Sequence, residues 1–162
     1  MAKKASASVQ RVREALTAAG VETEVQELSS STRTALEAAE AVGCEVAQIV
    51  KSLILKGEGS GNLYLVLTSG RNRLCVEYVA ELAGEPVAMA DAVSVRERTG
   101  FAVGGVPPLA HREALTAIVD EDLLAHDKIW AAAGSPSALF MLTPDELLRI
   151  TGGRPARVAT SV

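Results

Sequence analysis

Two β-rich runs, Ile49 to Lys56 and Leu63 to Thr68, flank Gly57-Glu58-Gly59-Ser60-Gly61-Asn62, and this arrangement constrains the fold more than any other stretch of the chain. The glycines, serine and asparagine of the spacer supply a turn, while the Ile, Val and Leu on either side supply strands apolar enough to sit centrally in a sheet. A hairpin of that kind must be covered, so helical signals elsewhere are expected to form flanking layers.

Those signals are present. Val9, Val12, Leu16 and Ala19 recur at helical spacing, with Gly20 placed to end the helix. Val21 to Leu28 alternates and predicts a strand. Ser29 to Thr34 is polar, and Thr34 can cap a helix over Ala35 to Val42 that Gly43 closes, followed by a short turn over Glu45 to Gln48. Past the hairpin the pattern predicts helices at Leu74 to Ala83 and at Ala92 to Thr99, the latter capped by Asp91 and stopped by Gly100. Short strands are expected at Phe101 to Val103, Thr116 to Val119, Ile129 to Ala132 and Ala138 to Leu142. Thr143-Pro144-Asp145-Glu146 carries the signature of a capping box and opens a helix to about Ile150. Gly152-Gly153 ends it, and Ala156 to Ala159 returns as a last strand. No strict βαβ repeat appears. The expectation is an α+β fold, one domain over residues 1–162, with a mixed, mainly antiparallel sheet, flanking helices and a flexible Met1 to Ser8.

Aromatic residues make up 3% of the chain against 48% hydrophobic in all, so the core is expected to be small aliphatics. A net charge of −4 excludes a protein that coats nucleic acid through bulk electrostatics. Local basic patches remain open at Arg71 with Arg73, Lys51 with Lys56, and Arg154 with Arg157, although most such charges merely solvate a surface. No apolar block follows Lys3 and Lys4 as a signal peptide or membrane span requires, which points to the cytoplasm and to Cys44 and Cys75 as two free thiols. His111 and His126 are isolated and read as surface or turn residues, so neither a metal nor a cofactor is expected. G-x-S-x-G, Walker and G-x-G-x-x-G motifs are absent, removing triad hydrolases, NTPases and dinucleotide enzymes.

Four places could carry chemistry. Lys51 shares a strand face with Ile49, Leu53 and Leu55, so its ammonium either snorkels to solvent or reaches into a cleft. Val103-Gly104-Gly105-Val106-Pro107-Pro108 can present backbone N–H groups to an oxyanion or form a plain bend. Ala131-Ala132-Ala133-Gly134-Ser135-Pro136-Ser137 either lines a pocket for a small side chain or makes a turn. Ser69-Gly70-Arg71-Asn72-Arg73 either holds a phosphate or is a polar loop.

In order and spacing, Ile49-Val50-Lys51-Ser52-Leu53-Ile54-Leu55, Tyr64 to Ser69, Gly104-Gly105-Val106-Pro107-Pro108 and Gly134 before Ala138-Leu139-Phe140 resemble the YbaK/prolyl-tRNA synthetase-associated editing family. Ser31-Thr32-Arg33-Thr34 with the helix after it also looks like that family's Thr/Ala-rich helix beside the site. The resemblance spans nearly the whole chain. It implies hydrolysis, without a metal, of the ester between a small mischarged amino acid and the terminal adenosine of tRNA, often tRNA for proline. Lys51 matches the family's functional lysine, and Gly104 to Pro108 matches its G-x-x-x-P loop.

On that resemblance Lys51, Gly104 and Gly105 are the expected catalytic residues. Thr34, Ser69, Arg71, Val106, Pro107, Pro108, Ala132, Gly134, Ser135 and Leu139 are expected to bind substrate. The expected partner is the acceptor end of a mischarged aminoacyl-tRNA, with an aminoacyl-tRNA synthetase as a second candidate and no membrane. Some relatives carry a histidine after the small-residue loop, where this chain has Ser135-Pro136-Ser137. Cysteinyl-type relatives carry a serine and an acidic residue where this chain places Ala132 and Leu139, which favours an alanine- or serine-like substrate over cysteine. The competing expectation is a non-catalytic module on the same fold that binds tRNA or a synthetase.

Overall fold

The computed structural model describes residues 7–29, 32 and 34–161. The amphipathic opening segment forms α1 (Ala7–Ala18), which buries Val9, Val12 and Leu16 as its spacing requires. Ala7 and Ser8, expected in a flexible leader, therefore already belong to a helix; residues 1–6 lie outside the described ones. The strand expected over Val21 to Leu28 shrinks to β1 (Gln26–Glu27), because only these two residues find a ladder partner. Thr34 caps α2 (Ala35–Val42) by accepting from the Glu37 N–H at 3.1 Å, and Gly43 ends it at φ 76°.

A 3₁₀ turn at Val46–Gln48 leads into the hairpin of β2 (Val50–Gly57) and β3 (Leu63–Ser69). All of β3 is buried, as a central strand should be. The helix expected from Leu74 begins later: Leu74 closes β4 (Asn72–Leu74), and α3 spans Val76–Ala83. Then come β5 (Val87–Met89) and α4 (Ala92–Thr99), the latter capped by Asp91. Phe101 to Val103, expected as a strand, is an irregular loop. Phe101 is buried there by side-chain packing, with Arg11 over its ring at 4.6 Å from the centroid, rather than by ladder pairing.

β6 (Thr116–Asp120), a 3₁₀ turn at Glu121–Ala125, β7 (Ile129–Ala132) and β8 (Ala138–Leu142) follow. The Thr143–Glu146 capping box forms with both reciprocal bonds and starts α5 (Pro144–Thr151). The last strand, expected over Ala156 to Ala159, is interrupted at Arg157 and Val158: β9 (Arg154–Ala156) ends where it was to begin and β10 (Ala159–Ser161) begins where it was to end, and the two join different sheets.

The main sheet runs β5-β2-β3-β6-β9, antiparallel across β5-β2-β3 and parallel across β3-β6-β9. A second sheet, β1-β8-β7, and a pair, β10-β4, are antiparallel. Leu65 and Leu67 face the larger core with α1, while Leu55 and Val66 face a second cluster with α3. Each fully buried leucine contributes about 2 kcal/mol of hydrophobic stabilisation.

One feature of the sheet shapes the site. β5 pairs with β2 only over Leu55–Gly57, with the Ala90 N–H adding a bond to the Ile54 carbonyl, so an open edge remains around Ser52, between that pairing and the bridge from Ile49 to Trp130. By strand alternation the backbone N–H and C=O of Ser52 face that open side.

Candidate active site

The open edge of β2 forms one wall of a cavity of about 250 Å³. Ala35 and Ala38 of α2, Val103 and Val106 of the loop after α4, Ala132 of β7 and Leu139 of β8 close the other sides. Small aliphatics thus leave a space below the roughly 300 to 1,000 Å³ of drug-sized pockets, suited to one small group. Its polar rim consists of Thr32, Thr34, Lys51, Ser52 and Gly104.

Lys51 is half-buried at the start of β2, and its Nζ donates to the Asn72 carbonyl at 2.7 Å. It also lines a second, more open groove of about 490 Å³ with Gly70, Arg71 and Arg73. The lysine therefore stands where a small apolar cavity meets a basic groove. Burial lowers its pKa, Asp120 opposes that shift, and Arg73 adds to it.

The loop from Val103 to Pro108 divides its labour. Gly104 lines the cavity at φ 91°, a conformation that L side chains rarely adopt. Its N–H, like that of Val106, has no acceptor among the described residues. The Gly105 N–H, expected as an oxyanion donor, is spent on the Ala102 carbonyl at 3.0 Å. Gly105 is there for close packing, since an added Cβ would fall 2.7 Å from the Ser135 Cα. Pro107 is buried and its carbonyl accepts from His111, while Pro108 faces a separate concavity with Leu109 to Leu115.

Other expected contacts sit elsewhere. The Ser69 hydroxyl donates to the Ala47 carbonyl at 2.8 Å, inside the protein, so Ser69 lines neither cavity nor groove. Gly134, at φ 101°, packs against the backbone of Ser8, where a Cβ would meet the carbonyl oxygen at 2.7 Å. Ser135 bonds within its own turn to Ser137. That turn supports the cavity indirectly: the Pro136 carbonyl accepts both the N–H and the hydroxyl of Thr32, and the Ser137 carbonyl accepts the Leu28 N–H. Ser31 and Arg33 lie outside the described residues.

Three participants escaped the sequence reading. Ser52 lines the cavity with a buried hydroxyl that has no partner among the described residues; its only signal is a serine interrupting an aliphatic strand. His111, expected at a surface or turn, packs edge-on against Phe101 and donates from Nε2 to Pro107 at 2.6 Å. A carbonyl acceptor requires the proton on Nε2. Asp120 is buried among β3, β4 and β6, a position no local pattern betrays.

A family model described as the aminoacyl-tRNA editing domain matches residues 29–150, a span containing every residue that lines the cavity. The chain belongs to the aminoacyl-tRNA editing domain family. Membership makes aminoacyl-tRNA the substrate class and hydrolysis the class of reaction. Among relatives, the uncharacterized protein YwhH of Bacillus subtilis is 30% identical over 140 residues, covering 86% of this chain and 88% of that protein. EbsC of Enterococcus faecalis, provisionally named a Cys-tRNA(Pro)/Cys-tRNA(Cys) deacylase, is 26% identical over 123 residues, 75% of this chain and 74% of its own. A solved structure provisionally described as a trans-editing enzyme for prolyl tRNA synthetase is 50% identical, with a TM-score of 0.92 over 98% of this chain and 100% of the other. The α+β architecture of this editing domain is thus shared with its structural relatives. No helix among the described residues is long and apolar enough to cross a membrane.

Proposed function

We propose that this editing domain acts in trans as a deacylase, hydrolysing the ester of a small mischarged amino acid, alanine- or serine-like, on tRNA for proline. One observation carries the reading: Lys51 and Gly104 border a small aliphatic cavity on one side, and Lys51 borders the Arg71–Arg73 groove on the other. The aminoacyl side chain occupies the cavity, and the phosphates at the tRNA 3′ end lie along the groove.

In this arrangement a water oxygen bonds to the ester carbonyl carbon and the carbonyl oxygen gains the negative charge. The free N–H groups of Gly104 and Val106 stabilise that oxyanion. The bond to the ribose oxygen then breaks, the ribose hydroxyl recovers a proton derived from the water, and the free amino acid leaves. Lys51 holds the terminal phosphate or the carbonyl, fixing the ester for attack. Ser52 offers its hydroxyl and its open-edge carbonyl to the substrate α-ammonium. Because the polar groups that the described residues bring to the cavity are N–H, carbonyl, hydroxyl and ammonium rather than carboxylate, imidazole or thiolate, we take the hydrolysis to need no metal.

The test is deacylation of a panel of alanyl-, seryl-, cysteinyl- and prolyl-tRNA for proline by purified protein, with and without chelator. Preferential release of alanine or serine, unchanged by chelator, is expected. Preferential release of cysteine would transfer the substrate to the one named for the Enterococcus relative. Release of none would leave a binding module, and loss in chelator restored by zinc would refute metal independence.

A further inference from the structure

A buried polar chain leads away from Lys51. Its Nζ donates to the Asn72 carbonyl at 2.7 Å. The Asn72 side chain, in a residue only 4% exposed, donates from Nδ2 to Asp120 Oδ2 at 2.9 Å and to Asp122 Oδ2 at 2.7 Å. Asp120, 2% exposed, accepts the Ser69 N–H at Oδ2 and the Asp122 N–H at Oδ1, each at 3.0 Å. These bonds tie together the end of β3, the start of β4 and the end of β6, beside the start of β2 where Lys51 sits.

A carboxylate so far from water is costly unless it is bonded, and hydrophobic residues would fill this position more cheaply if packing were its only task. Its bonds instead fix both the Asn72 side chain and, through it, the carbonyl that Lys51 takes. We propose that Asp120, acting through Asn72, is a positioning residue for Lys51, holding its ammonium in one orientation at the junction of cavity and groove. Among the described residues the charged groups around that ammonium are Asp120 from the end of β6 and Arg71 and Arg73 from the turn and β4, and Asp120 favours the charged form. The inference rests on the reading of Lys51 as functional.

The experiment is a double-mutant cycle of Asp120→Asn and Lys51→Ala, read as kcat and KM for a mischarged tRNA, with thermal melts confirming folding. Asp120→Asn should lower kcat about tenfold while KM moves less than about twofold, and in the Lys51→Ala background it should cost nothing more. It should also move the alkaline limb of the kcat profile to lower pH, because a half-buried lysine deprived of its neighbouring carboxylate gives up its proton sooner. Additive losses, or a wild-type kcat and alkaline limb in Asp120→Asn, overturn the proposal while leaving Lys51 in place. A wild-type rate in Lys51→Ala alone instead overturns the reading beneath it.

Should Asp120→Asn fail to fold, Asn72→Ala carries the same cycle with the same expected changes in kcat and KM and the same non-additivity with Lys51→Ala, and additive losses or a wild-type kcat overturn the proposal. Lysine-selective NMR of the wild-type protein supplies a readout that needs no variant. A Lys51 ammonium held in one conformation is expected, and rotamer averaging like that of surface lysines overturns the proposal.

Discussion

His111 fastens the end of the G-x-x-x-P loop: its Nε2–H donates to the Pro107 carbonyl at 2.6 Å while its ring meets Phe101 edge-on at 89°. Between them Ala110 is held at φ 72°, costing about 1 kcal/mol that only a firmly anchored neighbour can impose. Substituting His111→Ala should lower stability by about 1–2 kcal/mol and reduce deacylation by loosening Gly104. Burial lowers the imidazole pKa, against the pull of the Pro107 carbonyl. The folded protein therefore takes up that proton less readily than the unfolded chain. The stabilisation is complete above the unfolded pKa of about 6.5 and is lost as pH falls through the folded value. Melts across this range should show the acid-side loss in wild type, and a smaller one in His111→Gln.

Replacing Lys51 by alanine should cut deacylation about a hundredfold, the scale of one charged transition-state contact worth roughly 3 kcal/mol. The melting temperature should stay level or rise slightly, because a desolvated ammonium is removed from the sheet. Activity lost only in step with unfolding would assign Lys51 to structure.

Cavity size should govern substrate choice. Ala132→Leu adds bulk to a wall shared with Leu139 and should depress cleavage of the larger accepted amino acid more than the smaller, by about 10-fold or more per excluded methylene-sized difference. Competition between alanyl- and seryl-tRNA reads this directly; an unchanged ratio in a folded variant places the side chain elsewhere.

The two loop glycines should fail for different reasons. Gly104→Ala meets nothing closer than Pro136 Cγ at 3.8 Å but must hold φ 91°, whereas Gly105→Ala collides with the Ser135 backbone at 2.7 Å. Gly105→Ala should therefore destabilise by about 1–3 kcal/mol through forced backbone movement. Gly104→Ala should cost about 1–2 kcal/mol in strain and lose activity by turning its N–H. Chemical denaturation alongside kinetics separates the two.

Binding to tRNA should be weak and salt-sensitive. Neutralising Arg71 or Arg73 should raise KM and flatten the slope of log affinity against log salt by about 1 for each phosphate that the variant no longer pairs. An unchanged slope in both variants would move the tRNA path off this groove.

Local chemistry made much of this fold legible. The α2 and α5 caps, the hairpin, β7 and β8 stand where Thr34, Thr143, the glycine-rich spacer and the apolar runs put them. β4, β5 and β9 were invisible because three-residue strands are defined by their partners, not by their own pattern. Phe101 misled for the converse reason, an apolar residue buried without a ladder. At the site, Lys51 stood out as a cation among aliphatics, whereas Asp120 became visible only once Asn72 and Ser69, some fifty residues earlier, were brought beside it.

The Thr32 segment has a consequence for how such a site can diversify. The Thr32 part of the cavity rim hangs from the Pro136 carbonyl, in a turn none of whose residues lines the cavity itself. A substitution in the turn that moves the Pro136 carbonyl should therefore shift Thr32 at the rim while every residue lining the cavity keeps its identity.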